Sequence, residues 1–143
     1  MPRVYRAMLA DGDRPQVGPT ALTLGVRLPP DEHADLAVTA EGMVEPRTGG
    51  MSVSPAWRLL PVHRIPRRLR DRFPRATGKN SFFLWRMGDG PFTEGPFADR
   101  LLFRPDPDKP TKHGFVEPEA RVSADEYQAA LAATRDQWMI DEE

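Results

Sequence analysis

Apolar residues fall in short runs broken by Gly, Pro and Asp, and only once with sustained helical spacing. Val4-Tyr5-Arg6-Ala7-Met8-Leu9 predicts a first strand, closed by the turn formers Asp11-Gly12-Asp13. Ala21-Leu22-Thr23-Leu24-Gly25-Val26-Arg27-Leu28 alternates apolar with small or polar side chains and stops at Pro29-Pro30, the pattern of a second strand or extended segment. A short helical turn is expected over 31–37. In Pro46–Pro55 a glycine turn, Gly49-Gly50, runs into a brief extended piece. Ser81-Phe82-Phe83-Leu84-Trp85, Arg100-Leu101-Leu102-Phe103-Arg104 and His113-Gly114-Phe115-Val116-Glu117 predict further core strands. Pro66 is placed to open a helix through about Arg72.

The sustained helical pattern begins after Ser123. Ser123 at the N-cap with Glu126 three residues on forms a capping box, and Tyr127, Ala130, Leu131, Thr134 and Trp138 fall on one face. The expected fold is therefore α+β: a twisted, mostly antiparallel β core with short helices and a C-terminal helix packed on it. At 143 residues, without internal repeat, low-complexity tract or linker, residues 1–143 read as a single domain. Sixteen prolines and eleven glycines shorten the strands and lengthen the loops.

Charge changes the picture little. Twenty Lys+Arg against twenty-one Asp+Glu give a net charge of -1, so nothing in the whole-chain balance pulls toward nucleic acid or an anionic membrane. Zero cysteines exclude a disulfide framework, a thiolate nucleophile and a cysteine metal site. His33, His63 and His113 lack metal-ligand spacing, so no metal is expected. No run of about eighteen apolar residues and no signal-peptide core is present, so the expected location is cytoplasmic, or a target cell reached through a secretion machine that needs no cleavable leader. Ser52 has no Gly-x-Ser-x-Gly elbow around it, which argues against a hydrolase triad.

Three separated segments, in order, carry a resemblance. They are Val4-Tyr5-Arg6-Ala7, then Pro46-Arg47-Thr48-Gly49-Gly50-Met51-Ser52-Val53, then His113-Gly114-Phe115-Val116-Glu117-Pro118 followed by a helix ending in Arg135-Asp136-Gln137-Trp138. Together they resemble the small type VI secretion toxins whose fold is similar to the NAD-dependent ADP-ribosyltransferase toxins. Met51 departs from that family, which has a second threonine there. Glu117-Pro118-Glu119 also departs from it, and is instead similar in spacing to the Glu-x-Glu of the wider ADP-ribosyltransferase class.

The resemblance implies a mono-ADP-ribosyltransferase or NAD-hydrolysing toxin domain, with NAD as substrate, a macromolecular acceptor of unknown identity, and an immunity or antitoxin partner covering the cleft. Such chemistry stretches a glycosidic bond toward an oxocarbenium-like state while the pyrophosphate is held still, so positioning and electrostatics dominate. Arg6 is the candidate phosphate or ribose grip, because a guanidinium stays charged and donates in pairs. The plain alternative is an arginine paired with a carboxylate on a sheet face. Thr48, Gly49, Gly50 and Ser52 are candidates for close backbone approach and ribose contact; otherwise they make an ordinary turn. Glu117 or Glu119 would stabilise positive charge on the sugar, with Ser52 orienting the glutamate; the alternative is a pair of solvated loop acids. His113 would bind ribose or phosphate, or else pack at a strand start.

A rival reading needs no enzyme. Arginines at 58, 64, 67, 68, 70, 72 and 75, flanked by Trp57 and Phe73, would contact nucleic acid or an acidic partner. Prolines at 61, 66 and 74 favour instead a solvated face, or a contact with a nucleotide phosphate or an immunity partner. A third reading is a fold relative that binds a nucleotide without turnover.

Overall fold

Turn residues cut the chain into many short elements, and the computed structural model describes residues 1–143. The strands are β1 (Val4–Asp11), β2 (Arg14–Pro15), β3 (Met43–Val44), β4 (Met51–Val53), β5 (Phe82–Met87), β6 (Gly95–Ala98), β7 (Leu101–Pro105), β8 (Gly114–Pro118), β9 (Val122–Ser123) and β10 (Met139–Ile140). The α-helix is α1 (Ala124–Ala132), and single 3₁₀ turns stand at Trp57–Leu59, Val62–Arg64, Arg67–Leu69 and Arg135–Gln137. The strands form two four-stranded sheets, β10-β5-β1-β2 and β4-β8-β7-β6, and a β3-β9 ribbon. Every pairing between these strands is antiparallel. The α+β class and the antiparallel core agree with the sequence pattern.

The first sheet is covered on both faces, which explains why β1 reads as an apolar run, broken only by Arg6 before its final Asp11, rather than as an alternation. Val4, Met8, Trp85 and Met87 join the main core with Met51, Val53, Phe103 and Val116 of the second sheet. Tyr5, Ala7 and Leu84 face a smaller cluster of Trp57, Ile65, Leu69 and Ala76. The two sheets meet where Tyr5 N–H donates to the Ser54 carbonyl at 2.7 Å and Ser54 N–H returns a bond to Tyr5 at 3.0 Å.

Helix α1 starts as its cap demands. Ser123 Oγ accepts from Glu126 N–H at 3.1 Å and donates to Glu126 Oε1 at 3.1 Å. Tyr127 and Leu131 bury its inner face. The Tyr127 hydroxyl accepts from Met51 N–H at 3.1 Å and donates to the Val116 carbonyl, pinning the helix to the β4–β8 pair. Burial pushes the Tyr127 pKa upward. Thr134 and Trp138 lie beyond the helix, yet both are buried and the indole donates to Thr134 Oγ1 at 3.0 Å.

Besides the helix, which stops at Ala132 before the expected Arg135–Trp138 end, three expectations change. Residues 21–28 form no strand, and only an isolated Val17–Leu24 bridge is present. Side chains take the hydrogen bonds a neighbouring strand would have offered: Gln128 brackets Val26 through its N–H (3.1 Å) and carbonyl (2.9 Å), and Asp35 accepts from Arg27 N–H at 2.7 Å. Residues 31–37 turn without becoming helical, because Asp31 accepts from His33 N–H and Asp35 N–H reaches back to Arg27. After Pro66 only one 3₁₀ turn, Arg67–Leu69, forms. Strand β6 was not legible, since Gly95 and Pro96 read as loop; it survives as a bulged edge strand, where proline is tolerated. No helix is long and apolar enough to cross a membrane.

Residues after β10 are tied to the sheet. Asp141 accepts from the Tyr5 hydroxyl and from Arg86 Nε, each at 2.9 Å. Burial raises its carboxyl pKa, but hydrogen bonds from Tyr5, Glu143 N–H and Arg86 outweigh that and hold it below the usual range. A depressed folded pKa means stability that is present above about pH 4 and lost as pH falls through the folded value. Asp141→Asn is expected to cost roughly 1–2 kcal/mol at pH 7 and to flatten the acid limb of a stability profile measured by urea unfolding.

Candidate functional site

At the junction of the two sheets lies a cleft of about 170 Å³, walled by Arg6 and Ala7 of β1, Ser52 and Val53 of β4, Ser54, Arg27, Leu60, Pro61, Arg64 and His113. Strand alternation sets this wall. Met51 and Val53 point into the core, while Ser52, opposite Phe115, takes the other face. His113 stands just before β8, beside Val53 in register with Gly114.

The wall is cationic and contains no carboxylate. Arg6 is buried and its donors are largely spent on backbone: Nε and Nη2 donate to the Thr23 carbonyl at 3.2 and 3.0 Å, Nη2 also approaches the Thr20 and Gly25 carbonyls, and Nη1 donates to the Ser52 carbonyl at 2.9 Å. Burial, with repulsion from Arg64 and Arg27, lowers its pKa to about 10, against the pull of Asp35. It remains protonated at neutral pH. Arg27 pairs with Asp35, Nη2 to Oδ1 at 3.0 Å. Arg64 has no carboxylate partner and only a 3.3 Å bond to the Ala21 carbonyl; burial, then Arg27, lowers its pKa. One carboxylate thus answers three guanidinium groups.

Of the residues assigned to an NAD site by sequence, Arg6, Ser52 and His113 share this cleft, and Thr48, Gly49, Gly50, Glu117 and Glu119 lie outside its wall. Thr48 is exposed and donates to the Glu45 carbonyl at 2.9 Å. Gly49 adopts φ 126°, and a Cβ there would stand 2.1 Å from the Asp35 carbonyl oxygen; a Cβ on Gly50 would stand 2.6 Å from that of Val116. The close approach these glycines allow is between parts of this chain. Glu117 is fully buried, accepting from Arg104 Nε at 3.2 and 3.3 Å and from Arg47 N–H at 3.0 Å. Glu119 is exposed past the far end of β8, about 20 Å along the strand from His113.

Arg27, Arg64 and Asp35 complete the site and were not singled out individually. The arginine-rich segment was a signal for Arg64 alone. Arg68 pairs with Glu142 at 2.6 Å, Arg70 donates to the Ala76 carbonyl at 2.7 Å, Arg72 donates to the Glu142 carbonyl, and Arg58 and Arg75 lie over Trp57 and Phe73. Most of this segment's charge serves the chain's own folding.

No protein-family model matches the sequence, and no curated protein matches it.

Proposed function

We propose that the cleft binds NAD through its pyrophosphate, and that the protein is an NAD-handling toxin domain of the ADP-ribosyltransferase-like kind its sequence resembles. The observation that carries this reading is the gathering of Arg6, Arg27 and Arg64 beside Ser52 and His113 with Asp35 as the single counter-charge. An anion placed there offsets the uncompensated charge; Arg64 offers planar, paired donors suited to phosphate, while Arg27, its Nε and Nη2 engaged by Asp35, keeps Nη1 for it. Arg6 contributes field and holds the floor. The Ser52 and Ser54 hydroxyls are available to a ribose.

Cleaving the nicotinamide bond asks for a carboxylate beside the ribose. Glu117 is closed beneath Arg104 and Arg47, and Glu119 is distant, so binding and turnover are separate questions. In the toxin reading, an acidic immunity partner would suit this cationic mouth.

Titration of the protein with NAD, recording heat and nicotinamide release together, tests the reading. Binding is expected, weakened at least tenfold in Arg64→Ala, which corresponds to about 1.4 kcal/mol. Absence of binding by the parent protein would overturn it. Release of nicotinamide would establish consumption of NAD, and binding without release would leave a nucleotide binder.

A further inference from the structure

The cleft opens into a second basin of about 370 Å³, with which it shares Ser54, Pro61 and His113; Asp106, Lys109 and Lys112 line the rest with Leu59. Pockets that enclose whole small ligands span roughly 300–1,000 Å³, so a ligand as large as a dinucleotide exceeds the inner cleft, and this basin adjoins it. What it meets there is positive charge. Lys109 and Lys112 are exposed and form no ion pair. Asp106, the one acid, is already engaged: it accepts from His113 Nδ1 at 2.8 Å and from Asp108 N–H at 2.9 Å.

The hydrogen bond from His113 holds the Asp106 carboxyl below its usual range, so it stays ionised and Nδ1 carries the proton of that bond. His113 Nε2 is left free, an acceptor for a ligand hydroxyl while the ring is neutral, with the ring steadied edge-on to Phe115 at 4.9 Å. The loop itself is fixed. Asp106 N–H donates to the His113 carbonyl at 2.9 Å, and the Lys109 carbonyl accepts from Lys112 N–H at 3.1 Å and His113 N–H at 3.0 Å. The backbone that carries both lysines is therefore ordered beside the shared histidine, which lowers the loop-ordering cost of binding an anion there.

Resting on the NAD reading, we infer that the ligand carries a second phosphate, separate from the pyrophosphate, which Lys109 and Lys112 of this basin take. In dinucleotide terms it is the 2′-phosphorylated form, NADP. The inner arginines hold the pyrophosphate and the outer lysines the phosphomonoester.

Affinities of NAD, NADP and adenosine 2′,5′-bisphosphate, measured by calorimetry on the parent and on Lys109→Ala/Lys112→Ala, decide it. Both lysines are exposed, so the double variant is expected to fold. The parent is expected to prefer NADP over NAD about tenfold, and the double variant to lose that preference. Equal affinity of the parent for the two dinucleotides, or a preference that survives in the double variant, would overturn the inference. If neither dinucleotide binds but the bisphosphate does, in a lysine-dependent way, the NAD reading falls and the second-phosphate site stands. Binding of none of the three removes both.

Discussion

Replacing Arg104 with alanine is expected to lower folding stability by about 3–5 kcal/mol, the cost of leaving one member of a buried ion pair without its partner. Glu117 has no solvent exposure and its carboxylate rests on Arg104 Nε and the Arg47 amide alone. Arg104 side-chain exposure is 10%, so water does little to replace the lost bond. Arg47 is held over this pair in a left-handed conformation, φ 65°, and its guanidinium reaches Glu94 at 3.4 Å. The Glu45–Thr48 turn is thus fastened to the carboxylate it hides.

Urea unfolding of Arg104→Ala, Glu117→Ala and the double variant measures the coupling. The double variant is expected to be more stable than the sum of the single losses predicts, since it buries no orphaned charge. Single losses under about 1 kcal/mol would mean that the pair does not hold Glu117 in place. The consequence for function is direct. A loss of NAD turnover in Glu117→Ala carries catalytic meaning only if the protein remains folded, whereas exposed Glu119 can be replaced without that confusion.

What the sequence made legible was local. The β1, β5, β7 and β8 strands announce themselves as apolar runs between turn formers, and the Ser123 cap needs only its neighbour Glu126. Residues 21–28 misled because their alternation is real but their partners are side chains far along the chain, Arg6 and Gln128. The site divides in the same way. Ser52 and His113 come together with Arg6 through the strand pairing of β4 with β8 and the β1 junction, whereas Arg27 arrives on an irregular segment and Arg64 on a single 3₁₀ turn, whose positions no periodicity encodes. Glu117 was legible as an acid on the last long strand; that Arg104 closes over it follows from the β7–β8 register, which sequence spacing does not fix.

Arg6→Ala is expected to cost about 4 kcal/mol or to prevent folding. Four buried or partly buried carbonyls, those of Thr20, Thr23, Gly25 and Ser52, converge on this guanidinium. Each orphaned acceptor costs roughly 1–3 kcal/mol where water cannot reach it, and the losses overlap because the loop relaxes. Arg6→Lys is expected to recover only part, since three donors on a point charge cannot span carbonyls that a planar fork reaches. Denaturant unfolding gives the energy, and amide exchange over residues 20–25 shows whether the loop has come free. A stable Arg6→Ala protein with that loop still protected would refute the role. The same guanidinium also reports on ligands. Its pKa is about 10 because burial and two neighbouring arginines oppose its charge, so an anion entering the cleft relieves that opposition and binds the folded state alone. Pyrophosphate is accordingly expected to raise the melting temperature of the parent protein, and to raise that of Arg64→Ala by less.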